Sequence, residues 1–149
     1  MARGANLRSM ETENVAHCRE AFELWNADAD IDRVLELYSP DIELIFSPTD
    51  AGVFTEPVLR GRDAVRGFLM DFVEQWDRWR WDVEEYLDAG EHVVVLLRGV
   101  GTGRASTVDV PTPPFAYVCT YRDGLVVRMQ DFADQDEALR SVGLPPRAA

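Results

Sequence analysis

The sequence predicts an α+β fold in which helices from the first half of the chain pack on one face of a strongly bent sheet. Three observations support this fold class. Apolar residues recur at helical spacing in three segments of the first half, four extended segments fill most of the second half, and short turn-like stretches separate these segments. Because consecutive strands joined by short turns pair antiparallel, the sheet should be a mixed or antiparallel half-barrel.

The first half alternates between helical and extended patterns. The spacing predicts one helix over 13–27, capped by a threonine side chain, and a second, short helix over 31–40 that ends at a proline. A strand is predicted over 41–47, and the Pro- and Gly-rich loop over 48–57 is long enough to form a lid over a pocket. The third helix, over 61–76, carries a continuous apolar stripe and should be the main packing helix.

The second half reads as four strands and a final helix. The strands are predicted over 79–87, 92–103, 115–121 and 125–133, and an Asp-Gly pair between the last two indicates a tight hairpin. The closing segment, 134–144, is amphipathic, carries a glycine at its end and is followed by two prolines, which is typical of a short helix.

The length of 149 residues, with 46% hydrophobic and 28% charged content, indicates one globular domain. A chain of this length buries roughly 70% of its unfolded surface, which is enough for a core and one enclosed pocket. We expect residues 1–12 to be a disordered lead-in, 13–144 to form the single domain, and 145–149 to be a flexible tail.

Charge and metal-ligand content exclude several classes of function. All fifteen cationic side chains are arginine, so Schiff-base lysine chemistry and a phosphate-loop lysine are excluded. A formal net charge of −12 disfavours nucleic acid and membrane surfaces as partners. The two histidines and two cysteines have no zinc-site spacing, so we expect no metal and no cofactor. Cys18 and Cys119 are expected to be free buried thiols in a reducing cytoplasm.

Five strings in order resemble the SnoaL-like branch of the nuclear-transport-factor-like superfamily, which includes ketosteroid isomerase, polyketide cyclases and limonene epoxide hydrolase. The strings are WNADADIDRVLELYSPDIEL, LRGRDAVRGFL, GTGRAST, YRDGLVVRMQDFAD and EALRSVGL, and the resemblance extends over about 14–144. The resemblance implies a cone-shaped half-barrel whose first three helices cover the concave face, a conical pocket between sheet and helices, and a homodimer formed through the outer sheet face. It does not imply one chemistry, because this fold hosts many.

Asp131 is the acid best suited to catalysis. Alternation along the last strand places it with Val127, Met129 and Ala133 on the more apolar face, which is expected to line the pocket. Among apolar side chains, desolvation would raise the pKa of this carboxyl and make it a general base near neutral pH. Asp131 also matches the catalytic base of limonene epoxide hydrolase, whose WRDYFD string reads MQDFAD here. Two structural interpretations stay open: an ion pair with a neighbouring arginine, or capping of the last helix.

Two related activities lack their residues in this chain. Arg98 matches the arginine of the epoxide hydrolases' Arg-x-Asp pair, but Val100 stands where the aspartate would be. We therefore interpret Arg98 chiefly as an ion-pair partner of Asp131, with a catalytic role as the alternative. Ketosteroid isomerase needs a base aspartate and an oxyanion hole of tyrosine and protonated aspartate. At those aligned positions this chain has Ser47, Ala21 or Phe22, and Val118, so this route of steroid isomerisation is disfavoured.

The remaining candidates form the pocket wall or its mouth. His17 could be a second acid or base at the mouth, or a partly exposed helix histidine. Tyr117 and Tyr121 are assigned to the dimer face, which would turn the residues between them inward. The side chains expected to contact a substrate are Trp25, Tyr38, Phe46, Phe68, Val118 and Met129.

Two functions follow from these residues. The first is a cofactor-free isomerase or cyclase that uses Asp131 as general base on a small hydrophobic substrate. The second is a non-catalytic dimeric protein that binds a hydrophobic metabolite, because the partner groups of related enzymes are missing. In a third, structural interpretation, side chains fill the cone and the dimer itself is the functional unit.

Overall fold

The structure is a computed structural model that describes residues 11–28, 30–46, 58–103 and 108–147, in which three helices precede most of the strands and a fourth follows them. The helices are α1 (Glu13–Asp28), α2 (Ile31–Leu35), α3 (Arg62–Glu74) and α4 (Gln135–Ser141). The strands are β1 (Tyr38–Ile45), β2 (Val58–Arg60), β3 (Arg78–Ala89), β4 (His92–Thr102), β5 (Asp109–Pro111), β6 (Phe115–Arg122) and β7 (Leu125–Phe132). The expected lid loop and nearly all of the expected lead-in lie outside the described residues.

The strands form one curved mixed sheet in the order β2-β1-β7-β6-β4-β3, with β5 paired to the end of β4. The pairing of β1 with β7 is parallel, and every other described pairing is antiparallel. The turn between β6 and β7 has positive φ at both Asp123 (52°) and Gly124 (79°), as a tight two-residue hairpin requires. The predicted α+β architecture is confirmed.

An inner core fills the space between the concave face of the sheet and helices α1 and α3. Residues spaced three to four apart on α1, including Phe22 and Trp25, pack toward alternate residues of β4 such as Val95 and Leu97. The helix α3 contributes Val65, which is fully buried. Burial of the apolar face of α1 and α3 therefore fixes which side of the sheet is concave.

A smaller outer core lies on the convex face of the sheet, beneath α4. Ala138 and Leu139 of α4 pack against Val94 and Leu96 of β4 and Val118 of β6. Asp134 caps α4 by accepting a hydrogen bond from the backbone N–H of Asp136, at 2.9 Å. The central strands are therefore covered on both faces, which explains why their sequence is apolar at nearly every position.

Helix α1 also covers the free edge of β3. The side chain of Asn26 pairs with the backbone of Trp81 in both directions, since Nδ2 donates to the carbonyl oxygen and the amide N–H donates to Oδ1, each at 2.8 Å. At the other end of the strand, Asn14 Nδ2 donates to the carbonyl oxygen of Gly90, at 3.1 Å. These contacts occupy backbone groups that an edge strand would otherwise expose to a second chain.

Two helix ends and two short strands differ from the sequence prediction. The second helix ends at Leu35 instead of reaching Pro40, which lies inside β1 at an irregularity in its register with β7. Proline lacks an N–H, so a sheet tolerates it where pairing is interrupted. The third helix ends at Glu74, before Trp76, and the short strands β2 and β5 were not predicted. None of the helices in the described ranges combines the length and apolarity needed to cross a membrane.

Candidate functional site

A cavity of about 520 Å³ lies between the concave face of the sheet and helices α1, α2 and α3. Its volume is in the range of small-molecule sites. Ten of the described lining residues are aromatic, and most of the others are aliphatic. The described lining residues are Ala21, Phe22, Trp25, Val34, Tyr38, Leu44, Phe46, Val65, Phe68, Leu69, Phe72, Trp79, Trp81, Thr112, Pro113, Pro114, Phe115, Tyr117, Met129, Asp131 and Ala133.

Trp81 lies at the centre of the aromatic part of the cavity lining, which we call the aromatic wall. Its ring lies 5.4 Å from that of Trp79, 5.8 Å from that of Tyr117 and 6.1 Å from that of Trp25, measured between centroids. Two of these contacts are edge-to-face, the arrangement that the ring quadrupoles favour. Helix α1 holds this part of β3, because Trp25 Nε1 donates to the carbonyl oxygen of Trp79 at 3.1 Å, next to the Asn26 contacts.

Two glycines of β4 make room for the wall. A Cβ added at Gly99 would lie 2.1 Å from Cζ2 of Trp79, and one added at Gly101 would lie 2.5 Å from Cε3 of Trp76. Both distances are far shorter than a carbon–carbon contact of about 3.5 Å. The indole of Trp79 can therefore lie directly on the strand only because positions 99 and 101 have no side chain.

Asp131 is the one residue among the described lining with a carboxyl or a cationic side chain. It lies on β7 directly opposite Tyr117 of β6, and Met129, two residues earlier, lines the same cavity. Side chains at directly opposed positions have Cβ atoms about 5 Å apart, so the carboxylate adjoins the Tyr117 ring. A carboxylate at this position can accept a proton from a molecule bound in the cavity.

Tyr38 brings a second polar group into the wall. The residue is buried, and its hydroxyl donates to the sulfur of Met129 at 3.7 Å. Burial, with a smaller contribution from the thiols of Cys119 and Cys18, holds the pKa of Tyr38 well above its ordinary value. The hydroxyl therefore keeps its proton at every physiological pH and is a donor toward the cavity wall.

The buried thiols lie behind this wall. Cys18 and Cys119 are free and buried, as the sequence predicted. Contact with Cys18 and burial both raise the pKa of the Cys119 thiol, so it stays protonated. No cluster of three or more His, Cys, Asp or Glu side chains suited to a metal ion occurs within the part of the chain that the structure describes.

The family model for the SnoaL-like domain matches residues 18–129, which is most of the chain. The chain belongs to the SnoaL-like family. The match ends two residues before Asp131. The family assignment therefore rests on most of the helices, strands and cavity-lining residues, and Asp131 is not part of the matched range. None of the curated proteins matches this SnoaL-like protein by sequence.

Solved structures support the same fold. An NTF2-like protein of unknown function from Burkholderia pseudomallei is 21% identical, with a TM-score of 0.71 over 89% of this chain and 99% of that one. TerC, co-crystallised with polyporic acid, is also 21% identical, with a TM-score of 0.71 over 88% and 98% of the two chains. A candidate SnoaL-like polyketide cyclase from Jannaschia sp. CCS1 is 26% identical, with a TM-score of 0.68 over 92% and 96%.

The structure brings most of the sequence-predicted contact residues of the SnoaL-like protein together around the cavity. Lining positions are occupied by Asp131, Trp25, Tyr38, Phe46, Phe68 and Met129. Val118 is placed elsewhere, on the convex face in the outer core with α4. The expectation that Val118 faces a substrate is wrong, because residues 115, 117, 119 and 121 of β6 face the helices.

Arg98 and His17 also lie away from the cavity. Arg98 is paired with Asp82 of β3 and points to the convex face, since its neighbours Leu97 and Gly99 face the inner core and the indole of Trp79. The sheet separates Arg98 from Asp131, so the ion pair expected between them does not form. His17 lies at the β6–β7 turn, where its Nε2 is 3.6 Å from the position of a Cβ on Gly124.

Sequence reasoning missed part of the aromatic wall. The prediction that Tyr117 and Tyr121 lie on an outer dimer face is wrong. Tyr117 lines the cavity, and Tyr121 is buried in the inner core. Both faces of β6 are apolar because both are covered, so alternation alone could not tell which face is inner. The signal that could have located the wall is the pairing of two tryptophans with two glycines, Trp79 with Gly101 and Trp81 with Gly99, which places bulky and minimal residues at facing positions on consecutive strands.

Proposed function

We propose that this SnoaL-like protein binds a small, largely apolar carbonyl compound and uses the Asp131 carboxylate to remove a proton from the carbon next to the carbonyl group. The observation that carries the proposal is the position of Asp131 on the wall of an aromatic cavity whose other described lining residues are uncharged. Arg98 and His17 have no part in this mechanism, because neither lines the cavity.

The chemistry needs no group outside the chain and the substrate. One carboxylate oxygen of Asp131 takes the proton, the carbon–hydrogen bond breaks, and its electron pair moves into the carbonyl group to give an enolate. The resulting carboxylic acid returns the proton to the same carbon or to a conjugated one, which regenerates the carboxylate. A shifted double bond or a ring closure through the enolate carbon would be isomerase-type or cyclase-type chemistry.

The relatives are consistent with a ligand of this class. TerC was co-crystallised with polyporic acid, and the Jannaschia protein is a candidate SnoaL-like polyketide cyclase. The size and aromatic lining of the cavity suit a ring-containing guest, since aromatic walls bind flat apolar molecules by stacking and edge contacts.

Proton exchange into a simple ketone tests the mechanism. The methyl protons of 2-acetylnaphthalene exchange for deuterium in D₂O through the enolate, and ¹H NMR follows their loss. We expect the wild-type protein to accelerate this exchange and Asp131→Asn to reduce the acceleration by roughly 100-fold or more, the contribution of a positioned base.

Asp134→Asn is the matched control, because it makes the same chemical change three residues later, where asparagine caps a helix as well as aspartate does. The control should exchange at the wild-type rate. Undiminished exchange by a folded Asp131→Asn variant would remove Asp131 from the mechanism.

Binding without chemistry is the second candidate function, and the continuous aromatic wall favours it, since the wall alone suffices to hold an apolar metabolite. In that case no exchange occurs above background, and Asp131→Asn keeps the affinity for 2-acetylnaphthalene. Titration calorimetry on the two proteins separates this outcome from the catalytic one.

The assembly and the compartment are further proposals. We keep the homodimer through the outer sheet face on the family resemblance, although the two tyrosines that favoured it face inward and α4 covers part of that face. Light scattering after size-exclusion chromatography should give twice the chain mass of 16.8 kDa. The free buried thiols support a cytoplasmic location.

A further inference from the structure

The hydroxyl of Tyr38 is a buried donor with a poor acceptor. Its hydrogen bond goes to the thioether of Met129 at 3.7 Å, and a thioether sulfur is a weak acceptor. Tyr38 and Met129 both line the cavity, so this weak bond lies at the wall where a guest would sit. A buried hydroxyl usually finds a full-strength partner, because leaving one without costs stability.

Three other polar groups of the wall are already used or packed away. Thr112 accepts from the backbone N–H of Gly99 at 3.0 Å and donates to the carbonyl oxygen of Pro113 at 2.9 Å. Trp25 Nε1 donates to a backbone carbonyl oxygen. Trp79 Nε1 has no hydrogen-bond partner but is fully covered by protein, so a guest could not reach it without displacing the indole. Tyr38 differs from these three groups, because its hydroxyl is held only by a thioether acceptor.

We infer that the Tyr38 hydroxyl donates a hydrogen bond to the carbonyl oxygen of the ligand, so that the cavity selects compounds that present this oxygen at the Tyr38–Met129 position. The inference rests on the proposed function, since it assigns the ligand chemistry of the same cavity. It makes Tyr38 a second substrate-contacting group beside Asp131 and defines the ligand as a neutral carbonyl compound that enters with its oxygen toward β1.

The spacing suits both contacts to one ligand. Met129 and Asp131 are two residues apart on the same face of β7, which corresponds to about 7 Å along the strand. Tyr38, Met129 and Asp131 all line the cavity, so one small ligand can contact the Tyr38–Met129 position and Asp131 together.

As Asp131 removes the proton, negative charge grows on the carbonyl oxygen. The hydrogen bond from Tyr38 then strengthens while the proton stays on Tyr38. The raised pKa of Tyr38, caused mainly by burial, agrees with a group that donates without ionising.

Two probes of nearly the same shape test the inference by binding alone. 2-Acetylnaphthalene carries the carbonyl oxygen, and 2-isopropenylnaphthalene has a CH₂ group in its place. We expect the wild-type protein to bind the ketone more tightly, and Tyr38→Phe to weaken ketone binding by roughly five- to tenfold while leaving the hydrocarbon affinity unchanged, as the loss of one hydrogen bond predicts. Quenching of the wall tryptophans reports both affinities.

Tyr86→Phe is the matched control, since Tyr86 packs against the inner core without lining the cavity, and it should change neither affinity. Infrared spectroscopy of the bound ¹³C=O ketone gives a second readout: its stretching frequency should be lower in the wild-type complex and return toward the value in apolar solvent in Tyr38→Phe. A similar loss for both probes would show a structural role for Tyr38 and overturn the inference. So would an unchanged ketone affinity, an unshifted carbonyl band, or failure of both probes to bind.

These outcomes are independent of turnover. If Asp131→Asn exchanges protons normally while the ketone preference depends on Tyr38, the proposed reaction fails and the ligand assignment stands. If exchange depends on Asp131 but Tyr38→Phe leaves the ketone preference intact, the reaction stands and the assignment fails.

Discussion

Replacing Gly99 by alanine should disturb the cavity wall from outside the cavity. The added methyl group would lie 2.1 Å from Cζ2 and 2.8 Å from Cη2 of Trp79, so the indole must retreat by roughly 1.4 Å to restore a normal contact. Trp79 is packed edge-on against Phe72 (4.9 Å between centroids) and Trp81 (5.4 Å), which leaves the cavity as the direction of retreat. Overpacking of this kind costs about 1–3 kcal/mol.

Thermal unfolding followed by circular dichroism measures the cost. For a chain of this size the Gly99→Ala variant should melt roughly 3–10 °C below the wild-type protein, and its affinity for 2-acetylnaphthalene should fall because the indole enters the cavity. Gly67→Ala is the control, because no atom lies within 4 Å of the added methyl group. Alanine in place of glycine inside α3 should stabilise the folded protein by about 0.5–1 kcal/mol. A Gly99→Ala protein as stable as Gly67→Ala would refute the account of the wall.

Further variants test other parts of the structure. Asn26→Asp should lower both the melting temperature and the ketone affinity, because a carboxylate repels the β3 carbonyl oxygen that the amide now binds; Asn14→Asp, at the far end of the strand, should leave the affinity unchanged. Leu139→Ala should cost about 2–5 kcal/mol in urea unfolding without affecting ketone binding, because Leu139 is buried in the outer core. Cys18 and Cys119 should react with a thiol reagent at pH 8 only as fast as the chain unfolds, and rapid labelling of the native protein would contradict their burial.

Local patterns predicted the elements that local forces determine. The apolar stripe of α3 predicted that helix. The Asp123-Gly124 pair predicted the β6–β7 hairpin, because few other residues adopt the positive φ angles of this turn. The predicted end of the second helix at Pro40 is wrong. A proline can end a helix, but it also fits a position where strand pairing is interrupted, and Pro40 lies at such a position in β1.

Long-range pairing could not be predicted from local patterns. The parallel pairing of β1 with β7 joins segments more than eighty residues apart, and no periodicity encodes it. On β7, a register shift opposite Thr120 and Tyr121 turns Val126 toward the inner core, where strict alternation placed it on the other face. Alternation beyond the shift still placed Met129 and Asp131 correctly relative to each other.

The candidate site was predicted in part for the same reason. Asp131 and the apolar residues of the first half were identified because a single acid on an apolar face is visible in the sequence. The sequence alone does not assign Trp79 and Trp81 to a cavity or to an interface, since an aromatic residue on an alternating strand suits either surface. The contacts from α1 that settle the matter depend on tertiary structure.

A crystal structure of the protein with 2-acetylnaphthalene tests most directly whether the cavity is a carbonyl-compound site served by Asp131. We expect the naphthalene rings to lie against the aromatic wall, the methyl carbon to lie within about 3.5 Å of an Asp131 carboxylate oxygen, and the carbonyl oxygen to accept a hydrogen bond from the Tyr38 hydroxyl. A ketone bound on the outer surface, or one inside the cavity with its carbonyl end turned away from Asp131, would contradict this expectation.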